Sequence, residues 1–454
     1  MENQNRKAVM ALLFVGVLMG ALDLAIIGPA LPAIQTEFAL DNRNLSWLFN
    51  IYVLAQLLGT PLFAKASDKY GRRVVYMVCV TVFGIGSLML VLAANYEILL
   101  LGRMVQGLGA SGIFPVAAAV IGDTFPKEKQ GSALGLIGAV FGLAFLIGPV
   151  LGGILLRYSW QWLFIINLPV AVGLLVAAWR LLPAGGSKEQ LPFDWVGGVL
   201  LTVSLFGLAV GVTNLDTADF SASLMSFSVW PFLLTGIILL PVFWRVEKQA
   251  VDPIIRPSFF DARQIRLVMI IAAGIGMVEC AQVFFPALGV AGLGVPESTA
   301  ALLMLPGVFV MMIVSPLAGK VVDAIGPTRV IQVALPVVFV GLLIYAVTDV
   351  TYLTFIGGGM IVGLGLAAVL GAPLRYIVLE EARAEDRAST QGLLNIFLAV
   401  GQLSGAAIVG AVATSVGGGT VGYQNAIGVL AGITLLICMV ALLLKRRVSS
   451  AVAV

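Results

Sequence analysis

The sequence predicts an all-α integral membrane protein of fourteen transmembrane helices, arranged as two six-helix bundles plus two extra central helices. Three observations predict it. Of the 454 residues, 60% are hydrophobic and only 11% charged, too few polar groups to cover a water-facing surface. Apolar windows long enough to cross a bilayer recur from one end of the chain to the other. One charged phrase is also written twice, as Ala64-Lys-Ala-Ser-Asp68-Lys-Tyr-Gly71-Arg72-Arg73 and as Gly319-Lys-Val-Val-Asp323-Ala-Ile-Gly326-Pro-Thr-Arg329, its aspartates 255 residues apart. A duplicated membrane unit is the simplest source of such a repeat.

A helix needs about 20 apolar residues to span the hydrocarbon. Windows of that kind lie near 8–34, 46–65, 74–94, 97–121, 131–156 and 160–181, then 195–214 and 228–244, then 267–290, 298–319, 329–347, 352–374, 389–415 and 423–444. The first is too long and irregular for a cleaved signal peptide and runs into more membrane. Six spans occupy about 180 residues, and the repeat offset exceeds that by the length of two further spans. The extra pair follows the polar linker 184–190. The domains read as an N-terminal bundle over 1–183, a linker with two inserted helices over 184–262, and a C-terminal bundle over 263–454.

Lys and Arg in short loops mark the cytoplasmic side. Here 23 of the 26 lie at the termini or in alternate loops, among them Lys65 to Arg73, Arg245 to Arg266 and Arg375 to Arg387. The opposite loops hold only Arg43 and Arg157, with acids such as Glu37, Asp216, Asp219 and Asp349. Both termini are therefore expected in the cytoplasm, with the chain multi-pass in the cell (inner, plasma) membrane. Three scattered cysteines, Cys79, Cys280 and Cys438, lack the spacing of a disulfide framework or a thiolate metal site. The chain has no histidine, so proton chemistry near neutrality must fall on carboxylates.

Four signatures in the N-terminal half resemble the major facilitator superfamily, and specifically its fourteen-helix drug:proton antiporter branch. Leu22-Asp23-Leu-Ala-Ile-Ile-Gly-Pro-Ala-Leu31-Pro32 is similar to that branch's acidic first-helix motif. The Asp68 to Arg73 loop follows helix 2, with Ala64 where the family usually has Gly. Leu101-Gly-Arg103-Met-Val-Gln106-Gly107 is similar to the fourth-helix Arg motif, and Gly148-Pro149-Val-Leu-Gly152-Gly153, followed by Trp160 to Pro169, to the fifth-helix antiporter motif. The resemblance implies the major facilitator fold and a switch in which Asp68, Gly71, Arg72 and Asp123 form a network biasing the outward-open state. Its second copy keeps Asp323 and Arg329 but has Pro327 and Thr328 in place of the basic pair, so a weaker lock is expected there. Glycines along helix 5 suit both dense packing and a gating interface that seals against proton leak.

A charge near the centre of a span costs about 2.5 to 3.5 kcal/mol on insertion scales, which makes it a functional candidate. Three qualify: Asp23, Arg103 and Glu279. At 1.5 Å per residue, Asp23 lies roughly 24 Å beyond Lys7 and Glu279 roughly 20 Å beyond Arg266. Asp23 reads either as a structural acid bonded to a neighbouring helix or as a cation-binding, proton-accepting carboxylate; the resemblance favours the second. Arg103, always charged, reads as a proton-coupling residue or as the ion-pair partner of Asp23. Glu279 is offered for proton coupling and cargo binding by its polar face with Gln282.

Uncharged polar residues complete a substrate-binding set of Asp23, Glu279, Asn50, Gln56, Gln106, Asn167 and Gln282, with Ser111, Asn395 and Gln402 nearby in kind. Aromatics and methionines on the same spans, such as Tyr52, Phe114, Phe141, Phe284 and Met304, read as adaptable lining or as plain packing. The function expected is proton-coupled export of lipophilic, cationic compounds by alternating access, driven by a proton gradient with no cofactor or metal. The partners expected are small lipophilic molecules, protons and membrane lipid, with no nucleic acid and a monomeric state. The alternative is export of a lipid or an endogenous, possibly anionic, metabolite on the same scaffold. An enzyme is not expected, since the chain has no phosphate-cradling Gly-Lys-Ser/Thr turn, no His and no nucleophile with a base at usable spacing.

Overall fold

The computed structural model describes residues 3–40, 42–183, 194–215 and 220–445, which are helical almost throughout, with no strand among them. The linker 184–190 and the acidic Asp216 and Asp219 lie outside the described residues. The helices are α1 (Asn3–Phe38), α2 (Asn42–Tyr70), α3 (Arg72–Val91), α4 (Tyr96–Thr124), α5 (Lys127–Leu155), α6 (Trp162–Ile165), α7 (Asn167–Leu181), α8 (Trp195–Thr213) and α9 (Phe220–Leu224). They continue as α10 (Trp230–Glu247), α11 (Arg263–Leu293), α12 (Glu297–Leu303), α13 (Leu305–Ile325), α14 (Pro327–Val347), α15 (Tyr352–Leu370), α16 (Pro373–Glu381), α17 (Arg387–Ser415) and α18 (Gly419–Leu442). Among the described residues, thirteen helical stretches are long and apolar enough to cross a membrane. The fourteenth window, 131–156, falls in α5, a 29-residue helix of which several side chains lie outside the described set.

Local chemistry sets where these helices begin. The side chain of Asn95 accepts from the amide of Ile98 and opens α4, and Thr351 and Thr354 form a reciprocal capping box at the start of α15; each satisfies amides that a helix leaves without intrahelical partners. Proline divides two windows. Pro306 stands in the first turn of α13, and Pro373 opens α16, positions where the missing N–H is no loss. A new helix therefore runs past the expected end at 374, and Arg375, which the sequence places in a loop, is a buried helical residue.

The duplicated phrase folds twice in the same way. Gly71 has φ 97 and ψ 150 before α3, and Gly326 has φ 87 and ψ 154 before α14. Only glycine adopts that backbone without strain, which explains why both copies spell it.

The chain forms two compact units. Unit 1 comprises Met1–Pro126, Val140–Asp194 and Ala382–Leu393. Ile26, Ile27, Ala30 and Ile34 of α1 pack there with Leu48, Leu90, Leu99, Trp160, Leu163 and Phe164 in one buried cluster. Unit 2 comprises Lys127–Ala139, Trp195–Glu381 and Leu394–Val454. Its aromatic centre stacks Phe285 on Tyr345 at 4.5 Å between ring centroids, and the Tyr345 hydroxyl donates to the carbonyl of Phe355 at 2.6 Å. The inserted α8 and α10 pair through small residues: Ser204 Oγ donates to the Gly236 carbonyl at 2.8 Å. Their other faces expose Trp195, Val199, Ile237 and Ile238, which suits hydrocarbon.

Candidate functional site

Four helices of unit 1 converge on Asp23, which is fully buried in α1. Arg103 of α4 donates from Nη1 to Asp23 Oδ2 at 2.5 Å and to Gln106 Oε1 at 2.6 Å. Gln106 Nε2 donates in turn to Asp23 Oδ1 at 2.7 Å and to Ser87 Oγ of α3 at 2.9 Å. Asn167, at the start of α7, reaches Asp23 Oδ1 at 3.3 Å. One carboxylate thus accepts from a guanidinium and two amides, the saturation a buried charge requires.

Helix α2 holds the guanidinium from the other side. Arg103 Nε donates to the Leu48 carbonyl at 3.0 Å, and the ring of Tyr52, one turn on, lies 4.3 Å from the guanidinium carbon. A desolvated cation over an aromatic face gains about 2 kcal/mol. Among the described residues, the remaining nitrogen, Nη2, is buried without a hydrogen-bond partner. Asn50 and Gln56 sit half-buried on α2. Of the expected polar set, the structure therefore brings together Asp23, Arg103, Gln106 and Asn167. Ser87 was missed as an uncharged residue in an apolar run, and Tyr52 was named only as lining.

The Asp68 phrase makes a second network in unit 1. Arg72 pairs with Asp68 one turn back, and its Nε donates to Asp123 Oδ2 at 3.0 Å. Asp123 also accepts from Arg387 Nη1 at 2.7 Å. Asp68 accepts from the amides of Ala388 at 3.0 Å and Ser389 at 2.6 Å, and from Ser389 Oγ at 2.5 Å. A carboxylate there satisfies the free amides of α17's first turn and meets the positive end of its dipole. Ala64 is fully buried against Ala119 and Ala388, and its methyl also faces Gly392, where a Cβ would lie 2.8 Å from it.

Unit 2 repeats the device. Asp323 accepts from the amides of Gly131 and Ser132 at 2.8 Å each, and from the Ser132 hydroxyl, in the second turn of α5. The same three donor types serve both aspartates. Among the described residues no ion pair joins Asp323 to a cation, whereas Asp68 has Arg72. Polar residues that open a span, Ser132 and Ser389, were the overlooked sequence signal for both caps.

In α5, Gly148 is buried against α1: a Cβ built on it would lie 2.6 Å from that of Ala25, two residues beyond Asp23. Gly152 is buried one turn on. The side-chain surroundings of Pro149 and Gly153 lie outside the described residues.

Glu279, on α11 in unit 2, is half-buried and accepts from Gln402 Nε2 at 2.9 Å. Arg375 of α16 donates from Nη1 to Asn395 Oδ1 at 3.1 Å. Gln282, one turn beyond Glu279, lines a small cavity with Phe285, Met304, Met311, Tyr345 and Phe355.

A family model described as Major Facilitator Superfamily matches residues 13–406 and 267–453. The uncharacterized MFS-type transporter YfiU of Bacillus subtilis (strain 168) is 33% identical over 406 residues, 88% of this chain and 78% of that protein. The multidrug transporter protein MdtP of the same organism is 28% identical over 424 residues, 91% of this chain and 77% of that protein. In fold, the chain superposes on the crystal structure of the human organic anion transporter MFSD10 (TETRAN) with a TM-score of 0.73 at 16% identity, covering 97% of this chain and 100% of that one.

Proposed function

The chain belongs to the Major Facilitator Superfamily, and on that premise we propose that this multi-pass membrane transporter is a proton-coupled exporter of lipophilic, cationic compounds working by alternating access. The observation that carries the reading is the Asp23 carboxylate, wholly buried between apolar helices and held by Arg103, Gln106 and Asn167. Charges so placed are costly and mark ion or proton pathways. Relatives named as multidrug transporters support a role in small-molecule transport.

In this reading a proton and the cargo cation are mutually exclusive claims on acidic groups, so proton entry from outside displaces cargo. Asp23 takes the proton, with Arg103 as the partner released when the acid is neutralised. Glu279, half-buried, takes the cargo charge. Asp68, Arg72 and Asp123 bias conformation through the cap on α17, and the Gly148 contact of α5 with α1 couples that bias to the segment carrying Asp23. The membrane is the plasma membrane, both termini are cytoplasmic, and the working unit is the monomer.

The test is proton release from purified protein on addition of cationic, neutral and anionic lipophiles. Cations are expected to release protons in unbuffered solution, and Asp23→Asn to abolish the release. No release from the wild type with any cation it binds would remove proton coupling from the reading.

A further inference from the structure

We infer that Tyr52 of α2 is a positioning residue for the proton step: its ring holds the Arg103 guanidinium in place while Asp23 carries the proton. The inference rests on the exporter reading above and names the partner that Arg103 keeps once its acid is neutral. Three contacts fix the ring. Its centroid lies 4.3 Å from the guanidinium carbon. Its hydroxyl donates to the carbonyl of Gly20, about one turn before Asp23 on α1, at 3.4 Å. The Tyr52 carbonyl packs on α4 at Gly107, one turn beyond Arg103, where a Cβ would lie 2.3 Å from the oxygen; glycine lets α2 approach that closely. Tyr52, Arg103 and Asp23 are all fully buried.

While Asp23 is ionised, Arg103 has its countercharge at 2.5 Å. Protonation of the acid removes that charge and leaves the cation, since a guanidinium keeps its proton in proteins. A charge buried without its partner is costly. What then surrounds the guanidinium is neutral: Gln106 Oε1 at 2.6 Å, the Leu48 carbonyl at 3.0 Å and the face of Tyr52. An aromatic face attracts a cation through its quadrupole, most strongly where water is excluded. The same face offers nothing to a carboxylate, so the ring favours the state with a neutral acid over the ion pair. Among the described residues, the titratable groups facing Asp23 are Arg103 from α4 and Tyr52 itself from α2. Helices α3, α5 and α7 bring Ser87, Gly148 and Asn167 to this part of unit 1, none of which titrates.

The experiment uses tetraphenylphosphonium, a lipophilic monocation, and the purified full chain in lipid nanodiscs. Protons released on binding of the probe, measured against pH, should follow a profile whose midpoint belongs to the step that Asp23→Asn removes. Tyr52→Leu should move that midpoint to lower pH by about one unit, a tenfold loss of proton affinity. Tyr52→Phe keeps the face and loses the hydroxyl, and should keep the midpoint. Mono-, di- and trifluorinated phenylalanines at position 52 keep nearly the size of phenylalanine while draining charge from the face. They should lower the midpoint in that order, which reads the effect of the ring without the packing damage of Tyr52→Leu. A fluorinated series that holds the wild-type midpoint, or a Tyr52→Phe variant displaced as far as Tyr52→Leu, overturns the role of the ring and leaves proton-coupled export standing. A wild type that binds the probe and releases no proton at any pH removes the exporter reading and this inference with it.

Discussion

Arg103 uses its fork in a way no other cation can copy: Nη1 bridges Asp23 and Gln106, Nε holds the Leu48 carbonyl, and the flat face lies over Tyr52. A lysine would keep the charge and lose the geometry. Breaking such a pair from one side costs about 3 to 5 kcal/mol, because an unpaired charge stays buried. Asp23→Asn is therefore expected to lower thermal stability and to abolish efflux driven by a pH gradient. The Asp23→Asn/Arg103→Gln double variant should regain most of that stability, measured as the melting temperature in detergent, and remain inactive. A double variant as unstable as Asp23→Asn would mean that the network, and not the orphaned charge, carries the energy. The charged members of this site are legible in the sequence because Asp and Arg inside apolar runs have few innocent explanations. Ser87 is not, since a lone hydroxyl in a span bonds its own helix as readily as a neighbour, and Ser87 Oγ does also donate to the Phe83 carbonyl at 3.0 Å.

At the scale of the element, the most informative contacts are the two caps, in which an aspartate near the end of one helix receives amides near the start of another far away in sequence. Removing a cap costs about 0.5 to 2 kcal/mol. Asp323→Asn should lose about that much, since its partners are the two amides and one hydroxyl of α5's second turn. Asp68→Asn should lose more, because Arg72 then keeps only Asp123 among its acids. Chemical unfolding in mixed micelles, followed by helical signal, measures both. The double variant should show the sum within about 0.5 kcal/mol, as separated sites do. Transport should fall more than cargo binding in Asp68→Asn, because Asp68 is committed to α17 and not to a cargo pocket. Equal loss of both would count against a switch role. The repeat made both aspartates visible in sequence; their partners Ser132 and Ser389 were hidden because pairing between distant segments leaves no local pattern. Arg375 was hidden for a different reason. A proline two residues earlier reads as the end of a span, whereas Pro373 here begins a new helix.

For the whole molecule, hydropathy and duplication made the helical membrane architecture legible, since each span must satisfy its own backbone in hydrocarbon. The division into compact units was less so, because α5 and α17 each contribute to both units, and a repeat offset cannot show where packing changes hands along a continuous helix. The expected orientation rests on the basic residues. With Arg375 moved from loop to helix, 22 of the 26 Lys and Arg remain at the termini or near alternate loops, and a chain inverted in the membrane would have to translocate nearly all of them, against the positive-inside bias. The two buried inside spans, Arg103 and Arg375, are bonded to Asp23 and to Asn395. Reporter fusions should therefore find positions 69 and 446 inside the cell and position 220, between α8 and α10, outside. The inserted pair adds an even number of crossings, so its deletion over 191–250, with 184–190 joined to the segment before α11, should leave both flanking reporters where they were. A reporter at 220 on the inside would break the alternation for every span after α8. It would also place Arg329 and Lys320, the basic residues of the second copy, on the opposite side from Arg72 and Arg73, and the duplication could then no longer be read as two units inserted in the same sense.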